Sequence, residues 1–174
     1  ILNWNGSKYL DECINSIKKN NYTNYDITII DNNSTDDSLE KIKKLNIPVI
    51  SHPYNYKYAK GYNKAIFNFK NDNSDYYLLL NNDVICDSNL IESFIEGINN
   101  YGSNCIMGAK IFDANNKDQI WYAGGKFGFL NFFVSHYGIR KKNNIQYDND
   151  YQTSYVTGCC LLISKENFYK LKGF

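Results

Sequence analysis

Along the first half of the chain, short apolar runs alternate with stripes of apolar residues at helical spacing, the pattern of a parallel α/β sheet. Ile1 to Trp4 reads as the end of a strand, and Leu10, Ile14 and Ile17 mark one face of a helix after Asn5-Gly6-Ser7. Ile27 to Asp31 predicts a second strand. Ser34 with Asp37 three residues on resembles a capping box, and Leu39, Ile42 and Leu45 form the stripe of the helix behind it. Pro48 opens a third strand through Ile50, and Tyr62, Ile66 and Phe69 are spaced for another amphipathic helix. Tyr76 to Leu80 is a continuous apolar run, which predicts a central strand buried on both faces. It ends in Asn81-Asn82-Asp83, and a helix follows from about Ser88 with Ile91, Phe94, Ile95 and Ile98 inward.

The second half reads differently. Ile106 to Ile111 is strand-like, and Asp113 to Lys117 is a polar turn. Tyr122 to Gly138 concentrates glycine and aromatic residues without a helical period, which predicts hairpins or an ordered loop. Lys141 to Asp150 is polar and predicts a mobile surface loop. Tyr155 to Ile163 returns as a strand, and Ser164 caps a short last helix. No repeat or linker interrupts the chain, so a single domain over residues 1–174 is expected, with a break in character near residue 110. The chain opens on Ile1-Leu2-Asn3-Trp4 as though a buried strand had been cut, and it closes on Gly173-Phe174 directly after the last helix; both ends read as fragment boundaries.

Composition narrows the function classes. A chain of 174 residues with 43% hydrophobic and 21% charged residues can bury a core and is not disordered by default. The net charge is +1 and Arg140 is the only arginine, which argues against nucleic acid as a partner. The 16 Tyr and 10 Phe would suit a sugar-binding cleft, but tyrosine also fills cores and half-exposed strands and an AT-rich gene is the larger part of the explanation, so aromatic content alone decides nothing. Cys13, Cys86, Cys105, Cys159 and Cys160 form no CxxC pair, as expected of a reduced, cytoplasmic compartment. His52 and His136 make no metal-ligand spacing with them. The apolar runs Phe127 to Val134 and Tyr155 to Ile163 are too short to span a bilayer.

Candidate chemistry gathers where the predicted strands end. In an open parallel sheet, ligands bind outside the carboxyl ends of the strands. Asn3-Trp4-Asn5, Asp31-Asn32-Asn33-Ser34 and Asn81-Asn82-Asp83 all fall there, with Asn55 and Asn63 flanking a helix start. Each cluster alone is a common turn signal; together they form a constellation. Neither GxGxxG nor GxxxxGK[ST] occurs, so neither a dinucleotide fold nor a P-loop is indicated.

The ordered series ILNWNG, IIDNNSTDDS, Asn55 to Asn63 as N-x-x-x-A-x-G-x-N, YLLLNNDV and YVTGCCLLIS resembles the motif series of family 2 glycosyltransferases. The LNNDV form is similar to the branch of rhamnosyltransferases and related cell-surface polysaccharide enzymes. The resemblance implies the GT-A fold: α/β, with a Rossmann-like, mostly parallel central sheet, flanking helices and a more variable C-terminal half. It makes 1–110 the nucleotide-sugar-binding half and 111–174 a partial acceptor-side half.

Position by position, the resemblance puts Leu2 and Trp4 where the family holds the nucleotide base, with a core role at the strand end as the alternative for Trp4. Asp31 and Asn32 fall where a side chain reads the pyrimidine ring. Many relatives carry a second acid at Asn32; an amide oxygen still accepts from a pyrimidine N–H. Gly61 and Asn63 match a helix start near the nucleotide. Lys57 stands where this branch often has glycine, and it is either a pyrophosphate ligand or a solvated charge. Asn81-Asn82-Asp83 corresponds to the DxD motif, which implies Asp83, with Asn81 as a neutral partner, as ligands of Mg2+ or Mn2+, and Asn82 beside the nucleotide sugar. Thr157 and Gly158 match the acceptor side, and Trp121, Gly124 and Gly125 are candidates for the same pocket.

The general base of inverting relatives is expected beyond Phe174, so no catalytic residue is assigned. The resemblance implies sugar transfer from a UDP- or dTDP-linked donor to a saccharide or lipid-linked acceptor, at the inner face of the membrane. The alternatives are a non-catalytic binding domain of the same fold and a sugar-phosphate nucleotidyltransferase; the latter lacks its Gly-rich basic loop here. The apolar stretch within Tyr122 to Ser135 is the candidate for acceptor or peripheral membrane contact.

Overall fold

The computed structural model describes residues 1–69, 72–128 and 134–174. The first strand, β1 (Leu2–Asn3), leads into α1 (Leu10–Lys18), whose buried stripe is Leu10, Cys13, Ile14 and Ile17. Asp11 and Glu12 in its first turn and Lys18 in its last complement the helix dipole. β2 (Ile29–Asp31), α2 (Ser38–Lys44), β3 (Val49–Ser51), α3 (Tyr58–Phe67), β4 (Tyr76–Leu80) and α4 (Leu90–Tyr101) continue the alternation. The strand expected over residues 27–31 is shorter by two residues. The stripe of α3 is Tyr62, Ala65 and Ile66; Phe69 lies beyond the helix end and is exposed.

β1–β2–β3 form a parallel sheet, and β4 joins it through a parallel bridge between Leu2 and Asn81. On the far side of β4 lies β10 (Cys160–Ser164), antiparallel to β4 and to β5 (Met107–Gly108). The order is therefore β3-β2-β1-β4-β10-β5, and every strand but β10 runs the same way. All five residues of β10 are buried, as befits a strand closed in on both edges and both faces. Fully burying one aliphatic side chain of this kind is worth about 1.5–3 kcal/mol relative to exposure, so β10 is part of the core of the first half although it comes from the end of the chain.

Two hydrophobic clusters sandwich the sheet. On one face Ile1, Ile29, Leu80, Cys160 and Leu162 meet α1, α2 and α4; on the other Ile30, Leu79, Leu161 and Ile163 meet α3 and Phe168 of α5 (Lys165–Lys170). The alternation along β4 and β10 produces this division, since successive side chains point to opposite faces. Ser164 does cap α5, its hydroxyl accepting from the Asn167 N–H at 3.2 Å.

The remaining elements are short. The run Ile106 to Ile111 splits into β5 and β6 (Ile111–Phe112), and β6 pairs with β7 (Ile120–Tyr122). β8 (Gly125–Phe127) pairs with β9 (Val134–His136). The strand expected from Tyr155 starts only at Cys160; Tyr155 instead bridges Gly125. A small third cluster of Ile120, Ala123 and Tyr147 holds this region together. Residues 141–150, expected to be a polar surface loop, are tied to the rest of the chain: Lys142 bridges Gln119, Ile145–Tyr147 form a 3-10 turn, and Tyr147 is buried. Of the apolar stretch proposed for acceptor or membrane contact, Phe129, Leu130, Phe132 and Phe133 lie outside the described residues.

Candidate active site at the strand ends

The polar clusters do converge at the carboxyl ends of β1, β2 and β4. Their organiser is Asn3, fully buried. Its Nδ2 donates to Asp31 Oδ1 at 2.9 Å, Ser34 Oγ at 3.0 Å and Ser38 Oγ at 3.1 Å, while its Oδ1 accepts from Asn82 Nδ2 at 2.8 Å. Ser34 donates its hydroxyl to Asp31 Oδ1 at 2.6 Å and its N–H to Asp31 Oδ2 at 3.0 Å. Asp31 is thereby a buried carboxylate satisfied from within, which is the condition under which a buried charge is tolerated. It fixes the β2 end to the β1 end. Gly6 completes the junction: a Cβ there would sit 2.0 Å from Asn82 Nδ2 and 2.4 Å from Asn3 Oδ1.

Ser34 is thus spent on Asp31, Asn3 and Asn5, its Oγ accepting from the Asn5 N–H at 3.0 Å, and does not cap α2. Asp37 takes the N-cap position of α2 without a side-chain bond. The capping work falls to Asp36, whose Oδ1 accepts from the Ser38 N–H at 3.1 Å and also from the Ser38 hydroxyl, and whose Oδ2 accepts from the Ser7 N–H at 2.9 Å. Partial burial alone would raise the Asp36 pKa, but these bonds outweigh it and hold the carboxyl below the usual range.

The residues left free are the chemically interesting ones. Trp4 is 52% exposed, which removes the strand-end core role, and the Lys57 ammonium lies 5.6 Å from its ring centroid. Asp83 is exposed, while Asn82 beside it turns back to Asn3. Trp4 and Asp83 each stand two residues beyond the Leu2–Asn81 bridge, on neighbouring parallel strands. Asn81 is tied to the start of β10, its N–H donating to Cys159 O at 3.1 Å and its Nδ2 to Cys159 Sγ at 3.6 Å.

Asn32 is buried, its Nδ2 donating to Lys57 O at 3.0 Å while its Oδ1 has no partner. Gly61 packs on that amide and on Leu2; a Cβ would come within 3.0 Å of Asn32 Nδ2 and 3.2 Å of Leu2 Cδ1. α3 starts at Tyr58, so Gly61 and Asn63 belong to its body rather than its start, and Asn63 exchanges two hydrogen bonds with the backbone of Phe174 at 2.9 and 3.0 Å.

Among the residues expected on the acceptor side, Gly158 O accepts from Tyr58 Oη at 2.6 Å, which joins the segment before β10 to α3. Burial, with Cys159 and Cys160 nearby, pushes the Tyr58 phenol well above its ordinary value, so it stays a donor. Thr157 Oγ1 accepts from the Cys159 N–H at 3.4 Å. Trp121 is half-exposed with its ring edge-on to His136, centroids 5.2 Å apart. Its neighbour Tyr122 donates to Tyr155 O at 2.6 Å. Gly124 and Gly125 are covered by tyrosines: a Cβ on Gly124 would fall 2.3 Å from the Tyr151 hydroxyl oxygen, and one on Gly125 would fall 2.1 Å from the Tyr155 ring.

A metal at this site would find one free carboxylate, Asp83, and the neutral Asn81. The described residues hold no group of three or more His, Cys, Asp or Glu side chains that could form a cage. That donor set fits a hard cation completed by phosphate oxygens and water, the usual habit of Mg2+. A cavity of about 530 Å³ lies elsewhere, between α1 and the segment from Ile85 to Ser88, and shares none of the strand-end residues.

The sequence profile of glycosyl transferase family 2 matches residues 1–172. The chain belongs to this family. Among curated protein sequences none matches significantly. Among solved structures, the S. aureus TarS 1–349 crystal structure is similar, with TM-score 0.57 and 21% identity over 66% of this chain and 35% of TarS 1–349. TarS 1–349 in complex with UDP-GlcNAc, at TM-score 0.57 and 21% identity over 66% and 34%, and in complex with UDP, over 66% and 35%, agree equally well. The chain spans about a third of the length of these structures. At this identity the likeness speaks for the fold, which is the GT-A-like α/β fold of the family, parallel sheet and flanking helices included. No helix among the described residues is long and apolar enough to cross a membrane.

Proposed function

We propose that the chain is the donor-binding part of an inverting, metal-dependent glycosyltransferase, taking a UDP- or dTDP-linked sugar to a saccharide or lipid-linked acceptor in cell-surface polysaccharide synthesis. The observation that carries this reading is the pair Trp4 and Asp83. They are exposed and free at matched positions on neighbouring strand ends, while the polar side chains of Asn3, Asp31 and Ser34 are bonded inward to hold them there. Trp4 offers a face for a pyrimidine base, and the unpartnered Asn32 Oδ1 suits a ring N–H. UDP and UDP-GlcNAc in the complexes of the similar TarS support a donor of this class.

Asp83, with Asn81, would hold Mg2+ or Mn2+; when bound, the ion offsets the charge that grows on the departing nucleoside diphosphate. The acceptor hydroxyl oxygen bonds to the anomeric carbon as the bond from that carbon to the diphosphate oxygen breaks, and the hydroxyl proton passes to a base. Gly158 and Thr157, held against α3 by Tyr58, border the acceptor side, with Trp121 as a flat surface for a sugar ring. The exposed Phe127 and Val134 of the β8–β9 hairpin support peripheral contact with the inner face of the cytoplasmic membrane. A second reading, a non-catalytic binding domain, is favoured by the single free carboxylate of the site.

Titration calorimetry with UDP, with and without Mn2+, tests the assignment. Asp83→Ala should leave Tm within about 2 °C of the parent, because exposed substitutions typically change stability by less than about 0.5 kcal/mol. UDP affinity in Mn2+ should fall at least about tenfold, the loss of a charge-assisted contact. Unchanged affinity in Asp83→Ala would overturn the metal assignment.

A further inference from the structure

Lys57 stands in a conformation that costs a lysine. Its φ of 65° and ψ of −166° belong to a region open to glycine and strained for any residue with a Cβ. The other positive-φ residues at the strand ends, Asn5 at 51° and Asn33 at 64°, are asparagines, which tolerate such angles better. The strained peptide is clamped on both sides. Its N–H donates to Asn55 Oδ1 at 2.7 Å, and its carbonyl accepts from Asn32 Nδ2 at 3.0 Å and from the Gly61 N–H at 3.2 Å.

What this strained backbone presents is an exposed ammonium over the Trp4 ring, 5.6 Å from its centroid, and no carboxylate among the described residues pairs with it. The clamping Asn32, 1% exposed, carries the orphaned Oδ1 at this same helix start, an acceptor still waiting for a donor.

We propose that Lys57 is a ligand of the donor's diphosphate, and that it gives the site an affinity for nucleoside diphosphates that persists, reduced, without a divalent cation. The proposal rests on the donor-site reading above. A cation site of one carboxylate and one amide leaves much of the diphosphate charge unmet. A compact ammonium beside the base-stacking indole supplies a point charge suited to phosphate oxygens.

The test uses UDP and uridine as probes, by calorimetry in Mn2+ and in EDTA, on the parent and on Lys57→Gly, Lys57→Ala and Lys57→Arg. Lys57→Gly should raise Tm by roughly 2–5 °C as the strain is relieved, yet weaken UDP binding about tenfold. Lys57→Ala keeps the Cβ, so it should show the same affinity loss without the rise in Tm. Lys57→Arg should retain most of the UDP affinity, and uridine binding should be unchanged throughout. In EDTA the parent should bind UDP measurably better than Lys57→Ala. Equal UDP affinity for parent and Lys57→Ala, or an equal loss for uridine and UDP, would overturn the diphosphate role while leaving the donor site standing. A parent that binds neither probe would overturn the donor-site reading, and this proposal with it.

Discussion

The strand-end network and the aromatic hairpins of the second half solve the same problem, holding irregular backbone in place, by opposite means. At the ends of β1, β2 and β4 the work is done by small amides, hydroxyls and one buried carboxylate, bonded to one another within a few residues of the sheet, with the Asn32 Oδ1 left over. In the hairpins it is done by tyrosine rings lying on glycines, with Tyr151 against Gly124 and Tyr155 against Gly125. A network of directional bonds fails as a unit when one member is lost. A ring on a glycine is a packing contact, and its loss is local. The first arrangement suits residues that must be placed to a fraction of an ångström, and the second suits a surface that tolerates local change.

Breaking the hub should have the largest consequence. Asn3→Ala removes four side-chain bonds and leaves Asp31 short of a donor; burying an undersatisfied charged group should cost about 3 kcal/mol. Both Tm and UDP affinity should fall together, since Asn82 and the β2 loop lose their anchor. An Asn3→Ala protein with parental Tm would show that the network is decoration.

Gly125→Ala probes the other arrangement. Its Cβ would meet Tyr155 at 2.1 Å, and overpacking of this kind costs about 1–3 kcal/mol. Here the loss of stability should come with UDP affinity within about twofold of the parent, because the rings do not reach the strand ends. A parallel loss of UDP binding would erase the distinction between the two regions.

Smaller effects sharpen the picture of the α2 start. Asp36→Ala should cost about 1 kcal/mol at pH 7, the usual value of a lost helix-start bond. The folded-state pKa of Asp36 is depressed, so its contribution is present above the ordinary carboxylate pKa and disappears as pH falls through the lower folded value. The Tm difference between parent and variant should therefore shrink on acidification below about pH 4. Asp37→Ala should change stability least, by about 0.3 kcal/mol, because it loses only an exposed pair with Lys41 at 3.8 Å. If Asp37→Ala proves the more harmful of the two, the cap assignment is reversed.

The sequence alone determined the α/β architecture and the gathering of chemistry at the strand ends. Apolar runs of strand length alternating with helical stripes admit few folds, and turn-forming Asn and Asp after three such runs place polar groups at one sheet edge. The family was legible for the same reason, through short motifs in a fixed order. Other features depended on partners far along the chain. That β10 lies between β4 and β5 follows from pairing Cys160 with Leu80, 80 residues apart, and nothing local to either announces it. Only the tertiary structure showed that Ser34 serves Asp31 and not α2, that Asn63 meets Phe174, and that Tyr147 pins a polar loop. It also separated Asp31, bonded inward, from Trp4 and Asp83, left open to a ligand. A side chain's bonding partners are set by which elements meet in space, and periodicity reports only the face on which each residue lies.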